Sequence, residues 1–377
     1  MSLPGATAAC AVLLPIRQFG GHEKMLVEWL ATAAAQHGLR VQIYSAPNER
    51  LARACEAAGL RAPQISHPAR AGSLRDFFVT WRLLGAIPGE LPILFSPGVV
   101  QALPLQWLAA LLRRRRLAGY VPMAYSSRRM GFRGGSLRDW LIGHVVRRVH
   151  VWITISHEQR RLLITQWGVK APVLVVPNVL ALPRAARAEA PGDGPLRVLF
   201  AGRFDANQKG LDWLCEQLRA RRQAWIGRLR FTFMGQGEFQ AQLARLSGEL
   251  GGAHLEVRPW GDVGAAMAAA DVLVLPSRFE GVPLVGLEAV HYGLPVVATR
   301  DAGVAGFAPA SCLFDFGDAR AMWATLEALR DPAARAAALA HSRARVRQSL
   351  SPALFRQAVE RTVAVLARIG PPPATTS

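Results

Sequence analysis

The sequence predicts an α/β protein of two doubly wound, parallel-sheet domains facing a cleft. Three observations carry that expectation. Short apolar runs rich in β-branched residues alternate with helical segments along the 377-residue chain, the pattern of successive βαβ units. The alternation breaks once, at residues 181–194 (ALPRAARAEAPGDG), where Pro, Ala, Arg and Gly occur without periodicity, as in a linker. About half of the residues are apolar (51%), enough to bury two ordinary cores. The expected division is residues 1–180, a linker at 181–194, a second domain at 195–350, a final helix at 351–370 and a frayed tail at 371–377.

In the first half, residues 8–16 read as a strand, followed by a turn with Gly20 and Gly21, a helix (MLVEWLATAAAQHG) and a second strand, RVQIYSA. Glycines in a first βα turn let a ligand approach the backbone, although two glycines alone also make an ordinary tight turn. No G-x-G-x-x-G is present, so the dinucleotide fingerprint is missing. Helices are expected at 49–60 and over FFVTWRLLGAI, a strand at ILFSPG, and a helix over PLQWLAALLRRRRLAG that carries Arg113 to Arg116 at its end. Those arginines suit a helix C-terminus, and beside a Leu- and Trp-rich face they also suit docking on anionic lipid. YVPMAYSS reads as a strand ending in Tyr125, Ser126 and Ser127, SRRMGFRGG as a basic loop, LRDWLIGHVVRRV as a helix and HVWITIS as a strand. HEQRRLLITQWG and PVLVVPN close the half as helix and strand.

The second half repeats the alternation through the strands RVLFAGR, FTFMG, HLEVRP, DVLVLPS, PVVAT and CLFDF. Residues 271–303 form its strand–loop–helix–strand centre. Gly281 and Pro283 break any continuous helix after DVLVLPS, and Gly293 stops the helix LVGLEAVHY. Glu280 falls on the loop at the strand's carboxyl end and Glu288 one to two turns into the helix.

Composition narrows the partners. Net charge is +19, with residues 1–180 holding 22 Lys and Arg against 8 Asp and Glu, a balance of +14. No nucleic-acid motif accompanies this charge, and aromatic residues are not interleaved with the basic ones as in a base-stacking surface. An anionic membrane or an anionic acceptor fits the basic half better, and nucleic acid is not expected as a partner. The four cysteines are widely scattered, which argues against a zinc site or a disulfide framework and for a cytoplasmic setting. Residues 91–112 are uncharged and long enough to span a bilayer, but three prolines divide them, so a buried strand, loop and helix is expected instead.

Four places in the second half point to one ligand. Arg203 follows RVLFAG, and Lys209 stands at a strand-to-helix turn. Two cations there suit a diphosphate. Gly235 and Gly237 flank Gln236 at the end of a third strand and offer backbone room. Glu288 suits two ribose hydroxyls, as acidic residues near nucleotides do. Glu280 suits a sugar, or positive charge developing at its anomeric carbon.

These segments, AGRFDANQKGLDWL and PSRFEGVPLVGLEAVHYGLPVVAT, resemble the family 4 glycosyltransferases that use nucleotide-diphosphate sugars, including the family's Glu–seven residues–Glu spacing from Glu280 to Glu288. The first half is similar in outline, through Gly20–Gly21, ITISHEQRRLL and VVPN. The resemblance implies a GT-B fold whose last helix crosses back to the first domain. It implies that Arg203, Lys209, Gly20 and Gly21 meet the donor diphosphate and Glu288 the ribose. Glu280, with Gly281, Pro283 and Leu284, would meet the donor sugar, and Glu280 would be the catalytic carboxylate. Tyr125, Arg128 and Arg129 would meet the acceptor. It implies transfer with retention, no cofactor beyond the nucleotide-sugar co-substrate, and no metal. Two departures stand out: Tyr125 occupies the position where many relatives carry a histidine, and Asp301–Ala302–Gly303 replaces a common double glycine.

The expected activity is hexosyl transfer from a UDP- or GDP-sugar to a glycan or lipid-linked acceptor in bacterial surface polysaccharide or lipopolysaccharide synthesis, on the inner face of the cytoplasmic membrane. A nucleotide-sugar 2-epimerase of the same fold and a non-catalytic partner subunit are the alternatives.

Overall fold

The computed structural model describes residues 8–14, 19–65, 74–101, 104–180 and 194–369. Almost all of the expected linker (181–194) and the whole expected tail (371–377) lie outside the described residues. The chain forms two compact units, Met1–Val179 with Pro352–Ser377, and Leu180–Ser351.

The first unit holds strands β1 (Ala9–Leu14), β2 (Arg40–Ser45), β3 (Gln64–Ile65), β4 (Ile93–Phe95), β5 (Leu117–Tyr120), β6 (Val151–Thr154) and β7 (Val173–Val175). They pair in parallel in the order β3-β2-β1-β4-β5-β6-β7. Helices α1 (Gly21–His37), α2 (Glu49–Ala57), α3 (Leu74–Ala86), α4 (Pro104–Leu112), α5 (Gly135–Val146) and α6 (His157–Thr165) connect them. The strand order reverses between β1 and β4, which makes the carboxyl ends of those strands this unit's binding edge.

The second unit pairs β8 (Leu196–Ala201), β9 (Leu229–Met234), β10 (Leu255–Arg258), β11 (Val272–Leu275), β12 (Val296–Thr299) and β13 (Leu313–Phe314), again all parallel, in the order β10-β9-β8-β11-β12-β13. Its reversal lies between β8 and β11. Its helices are α7 (Ala206–Lys209), α8 (Leu211–Ala220), α9 (Arg222–Trp225), α10 (Gln240–Leu250), α11 (Val263–Ala268), α12 (Leu284–Tyr292), α13 (Ala319–Ala328) and α14 (Pro332–Ser349). Alternate residues of β8 and β11 feed two separate apolar clusters: Val198 and Val272 join one, Leu199 and Leu273 the other. The sheet is therefore buried on both faces, as a parallel sheet requires. At the opening of β11, buried Asp271 accepts from the Arg197 backbone N–H at 2.9 Å and from its guanidinium at 3.1 Å, which pins β8 beside β11.

A last helix, α15 (Pro352–Ile369), belongs to the first unit and packs on α1, β6 and β7. Arg116 donates to the Ile369 carbonyl at 2.9 Å and fastens its end. The two-domain GT-B architecture with a returning helix is thus what the chain adopts.

The structure corrects the sequence reading between residues 113 and 127. α4 stops at Leu112, and the segment read as its last turn instead begins β5 at Leu117, so YVPMAYSS is mostly loop. The misleading residue is Gly119, which looks like a helix stop. It sits inside the strand because a Cβ there would fall 2.4 Å from the Trp152 ring on β6.

The four arginines are not one surface cluster. Arg113 stacks on Trp81 at 4.1 Å, and Arg114 turns the chain with φ 52°. Arg115 is buried and donates to the carbonyls of Leu84, Ile87, Pro88 and Leu91 at 2.6–3.0 Å. A neutral residue there would orphan all four acceptors. Arg115→Leu is expected to cost about 3 kcal/mol and Arg114→Gln less than about 0.5 kcal/mol. Calorimetric unfolding of the two variants checks the difference.

Candidate active site

The second unit brings its predicted residues to one edge. After β8 the chain runs through Gly202 and Arg203 to Asp205, whose carboxylate caps α7 by accepting from the Gln208 N–H at 2.8 Å. That single turn delivers Lys209. After β11 the chain turns at Pro276 and Ser277 and brings back Glu280. Lys209 Nζ and Glu280 Oε1 meet at 2.5 Å, and Ser277 Oγ donates to the same oxygen at 2.7 Å. The Lys209 and Glu280 side chains are only 12% and 8% exposed. A carboxylate that buried is tolerated because a cation and a hydroxyl compensate it. Lys209 and Glu280 are therefore one ion pair at the point where β8 and β11 part.

Arg203 reaches Asp205 at 3.2 Å and donates to Gln208 Oε1 at 2.7 Å, so its guanidinium lies along α7 on the same loop. Glu288 lies half-buried in the second turn of α12. Gly281 and Pro283 are buried, and Leu284 opens α12.

Three close backbone approaches make the edge possible. A Cβ on Gly210 (φ 65°) would fall 2.1 Å from the Pro276 carbonyl oxygen. One on Gly235 would fall 1.9 Å from the Gly202 carbonyl oxygen, so the Gly-Gln-Gly loop lies directly against the β8 loop. One on Gly303 (φ 73°) would fall 1.9 Å from the Gly281 carbonyl oxygen. The Glu280 N–H donates to the Asp301 carbonyl at 2.9 Å. The departure to Asp301–Ala302–Gly303 thus keeps a glycine at the position where the backbone demands one.

Sequence reasoning missed Arg278. Its guanidinium makes two 2.8 Å bonds to Asp212 on α8, donates to the Ala206 carbonyl at 2.6 Å and lies 4.4 Å over the Phe316 ring. Its own N–H donates to the Gln208 carbonyl at 2.8 Å. It clamps the β11 loop onto the turn that carries Lys209. Burial raises the Asp212 carboxyl, but the bonds from Arg278 and the backbone outweigh it and hold that group below the usual carboxylate range. The signal in the sequence was only an arginine two residues from Glu280.

In the first unit, Gly20 is the N-cap of α1 and Gly21 its first residue, so the helix starts earlier than expected. The Gly20 N–H donates to Glu23 Oε2 at 2.8 Å, and burial raises the Glu23 carboxyl against that bond. His22, also missed, shares a 2.8 Å hydrogen bond between Nε2 and Ser96 Oγ, beside the Tyr120 ring. It links the carboxyl edges of β1, β4 and β5. Burial pushes its imidazole down to about 4, against the bond at Ser96. Tyr125 lies buried in the loop beyond β5, with the Arg129 guanidinium 4.8 Å over its ring. Arg128 is exposed, and its N–H donates to Asp139 at 3.3 Å.

Two family models divide the chain: the Glycosyl transferase 4-like domain matches residues 20–179 and Glycosyl transferases group 1 matches residues 195–331. Over 175 residues (44% of this chain and 49% of that protein) the sequence is 30% identical to the lipopolysaccharide core biosynthesis glycosyltransferase LpsE of Rhizobium meliloti (strain 1021). Over 120 residues, 29% of each protein, it is 32% identical to the amylovoran biosynthesis glycosyltransferase AmsK of Erwinia amylovora. The match therefore spans half or less of the length of these relatives. Anabaena Alr3699/HepE, solved in complex with UDP and glucose, superposes with a TM-score of 0.74 over 95% of this chain and 100% of that one, at 17% identity.

Two outcomes test the geometry. Gly303→Ala is expected to cost more than about 2 kcal/mol through its clash with Gly281, whereas Gly306→Ala, which meets nothing within 4 Å, stays within about 0.5 kcal/mol. Calorimetry of both variants measures this. The sign for His22 follows from its depressed value. The unfolded chain takes the proton first, near 6.5, so His22 contributes stability above that pH which is lost as pH falls towards about 4. Urea midpoints between neutral and acid pH should therefore fall less steeply in His22→Gln than in the native protein. Equal slopes in the two would refute the buried, neutral imidazole.

Proposed function

The chain belongs to the family 4 type glycosyltransferases of the GT-B fold, and from that premise we propose that it moves a hexosyl group from a nucleotide-diphosphate sugar to a glycan or lipid-linked acceptor, with retention of configuration. The buried Lys209–Glu280 pair at the β8–β11 reversal carries this reading. A fixed ammonium at the carboxyl edge of a parallel sheet suits a leaving diphosphate, because its position costs nothing to organise during the reaction. UDP is the nucleotide to expect, since structural neighbours were solved with UDP and glucose and with UDP-2-fluoro glucose.

In this reading Arg203 and Lys209 neutralise the departing diphosphate without a metal. Glu288 accepts from the ribose hydroxyls. Glu280 aims the Lys209 ammonium and, with Gly281, Pro283 and Leu284, faces the donor sugar. Arg128 and Arg129 supply the acceptor's cationic contacts, and Arg129 stacked on Tyr125 fixes one of them. The named relatives of polysaccharide and lipopolysaccharide synthesis support an acceptor of that class; its place at the inner face of the cytoplasmic membrane is part of the proposal. Among the described residues no helix is long and apolar enough to cross a membrane.

Arg203→Ala and Lys209→Ala are each expected to lower transfer about 100-fold or more and to weaken UDP binding in calorimetric titration. Lys209→Ala leaves Glu280 buried without its cation. Lys209→Ala with Glu280→Gln should therefore recover stability but not transfer. Near-native turnover in any of the three sinks the assignment. Incubation with donor alone separates the alternatives: isomerisation of the sugar replaces a transferase with an epimerase.

A further inference from the structure

We propose that loop residues 128–134 and the outer face of α5 dock the protein on an anionic lipid bilayer. The proposal deepens the reading of a lipid-linked acceptor, on which its purpose rests, by naming how the protein reaches the lipid.

α5 carries apolar residues on both its buried and its exposed sides. Its inner face buries Gly135, Ile142, Gly143 and Val146. Its outer face, at helical spacing, carries Leu137, Trp140 and Leu141, which are 65%, 61% and 55% exposed. A solvated helix places charge there, and three large apolar side chains in one stripe mark a surface that meets something. Phe132, in the loop before the helix, is also exposed.

The occupant is set by charge. Residues 126–148 contain six arginines and one acidic residue, Asp139. The Asp139 carboxylate is turned onto the loop backbone, accepting from the N–H groups of Ser127 at 2.7 Å and Arg128 at 3.3 Å. The apolar stripe is thus flanked by exposed Arg128, Arg129 and Arg133 at one end and Arg147 and Arg148 at the other. An apolar stripe bounded by cations on long, partly apolar stems matches the boundary between phosphate headgroups and acyl chains. A second copy of the same patch would bring like charges together. The surface lies one helix beyond the run Arg113–Arg116, where Arg113, Arg115 and Arg116 are engaged within the fold.

The test is co-sedimentation of the full chain at low salt with vesicles of phosphatidylcholine, or of an equal mixture with phosphatidylglycerol. Binding is expected to the mixed vesicles only, and to weaken as salt rises. Trp140→Ser with Leu141→Ser should lower the partition coefficient about tenfold or more, and Arg133→Gln with Arg148→Gln should lower it on the mixed vesicles. Arg343→Gln with Arg345→Gln, exposed cations of the second unit, should leave it unchanged. Circular dichroism melting confirms that the variants fold. Vesicle binding by Trp140→Ser/Leu141→Ser equal to that of the native protein overturns the proposal. So does a concentration-dependent dimer that this variant abolishes while the native protein ignores both vesicles. UDP titration keeps the two readings apart: native UDP affinity in the variant is expected, and loss of UDP binding in the native protein with vesicle binding intact overturns the transferase reading while supporting the surface.

Discussion

The arrangement of the second unit depends on placing a lysine and a glutamate together where little water reaches. Each of Lys209 and Glu280 alone would be costly at that depth, and together with Ser277 they are compensated. The two residues are 71 apart in sequence and come from loops on different strands. Their meeting therefore requires β8 and β11 to be neighbours, which Asp271 secures at the opposite end of the same strands. It also requires two loops to pass within van der Waals contact of each other. Gly210 allows that passage against the Pro276 carbonyl, and the Arg278–Asp212 clamp holds it. The pair thus reports on the register, the loops and the clamp at once.

This dependence explains why so much of the second unit was legible in sequence. A strand, a breaker and a helix in close succession determine where Glu280 and Glu288 fall, because each step is a local propensity that the parallel sheet only reinforces. What local reasoning could not reach was the partner of each charge. Arg278 looks like one more surface cation, and nothing within a few residues of it points to Asp212 on another helix. The glycines of the Gly-Gln-Gly loop were legible as room, but the Gly202 carbonyl that fills the room comes from a distant strand.

The first unit was legible in outline and misread in detail, for a reason visible at Gly119. Glycine weakens a strand when judged alone, yet here its missing side chain leaves room for the Trp152 ring. Tertiary packing overrode propensity, and the error moved a strand by several residues and put Tyr125, which lies on a loop, at a strand end. Gly21 is a similar case: a glycine opens α1 behind an N-cap that has no side chain, and the Glu23 carboxylate reaches back to accept from the Gly20 N–H, the N3 half of a capping box. His22 follows as the next residue of that turn, so its place at the sheet's reversal was fixed by a feature that pattern reading took for a plain turn.

Arginine shows most clearly why composition underdetermines function. A balance of +14 over the first 180 residues suggests a charged surface, but charge in the sequence and charge at the surface are different quantities. Arg115 spends its donors on four backbone carbonyls, Arg113 covers an indole, and Arg116 holds the last helix. These three arginines act as framework, chosen for a planar, multiply donating head that a lysine lacks. The arginines of residues 128–148 differ in setting: five of the six are exposed, and they surround apolar side chains that the fold leaves uncovered. The difference lies in how much of each guanidinium the fold covers, and only the folded chain reveals that. A basic stretch therefore marks an interaction surface when most of its cations stay exposed beside large apolar side chains that are exposed too, as in α5 and its preceding loop.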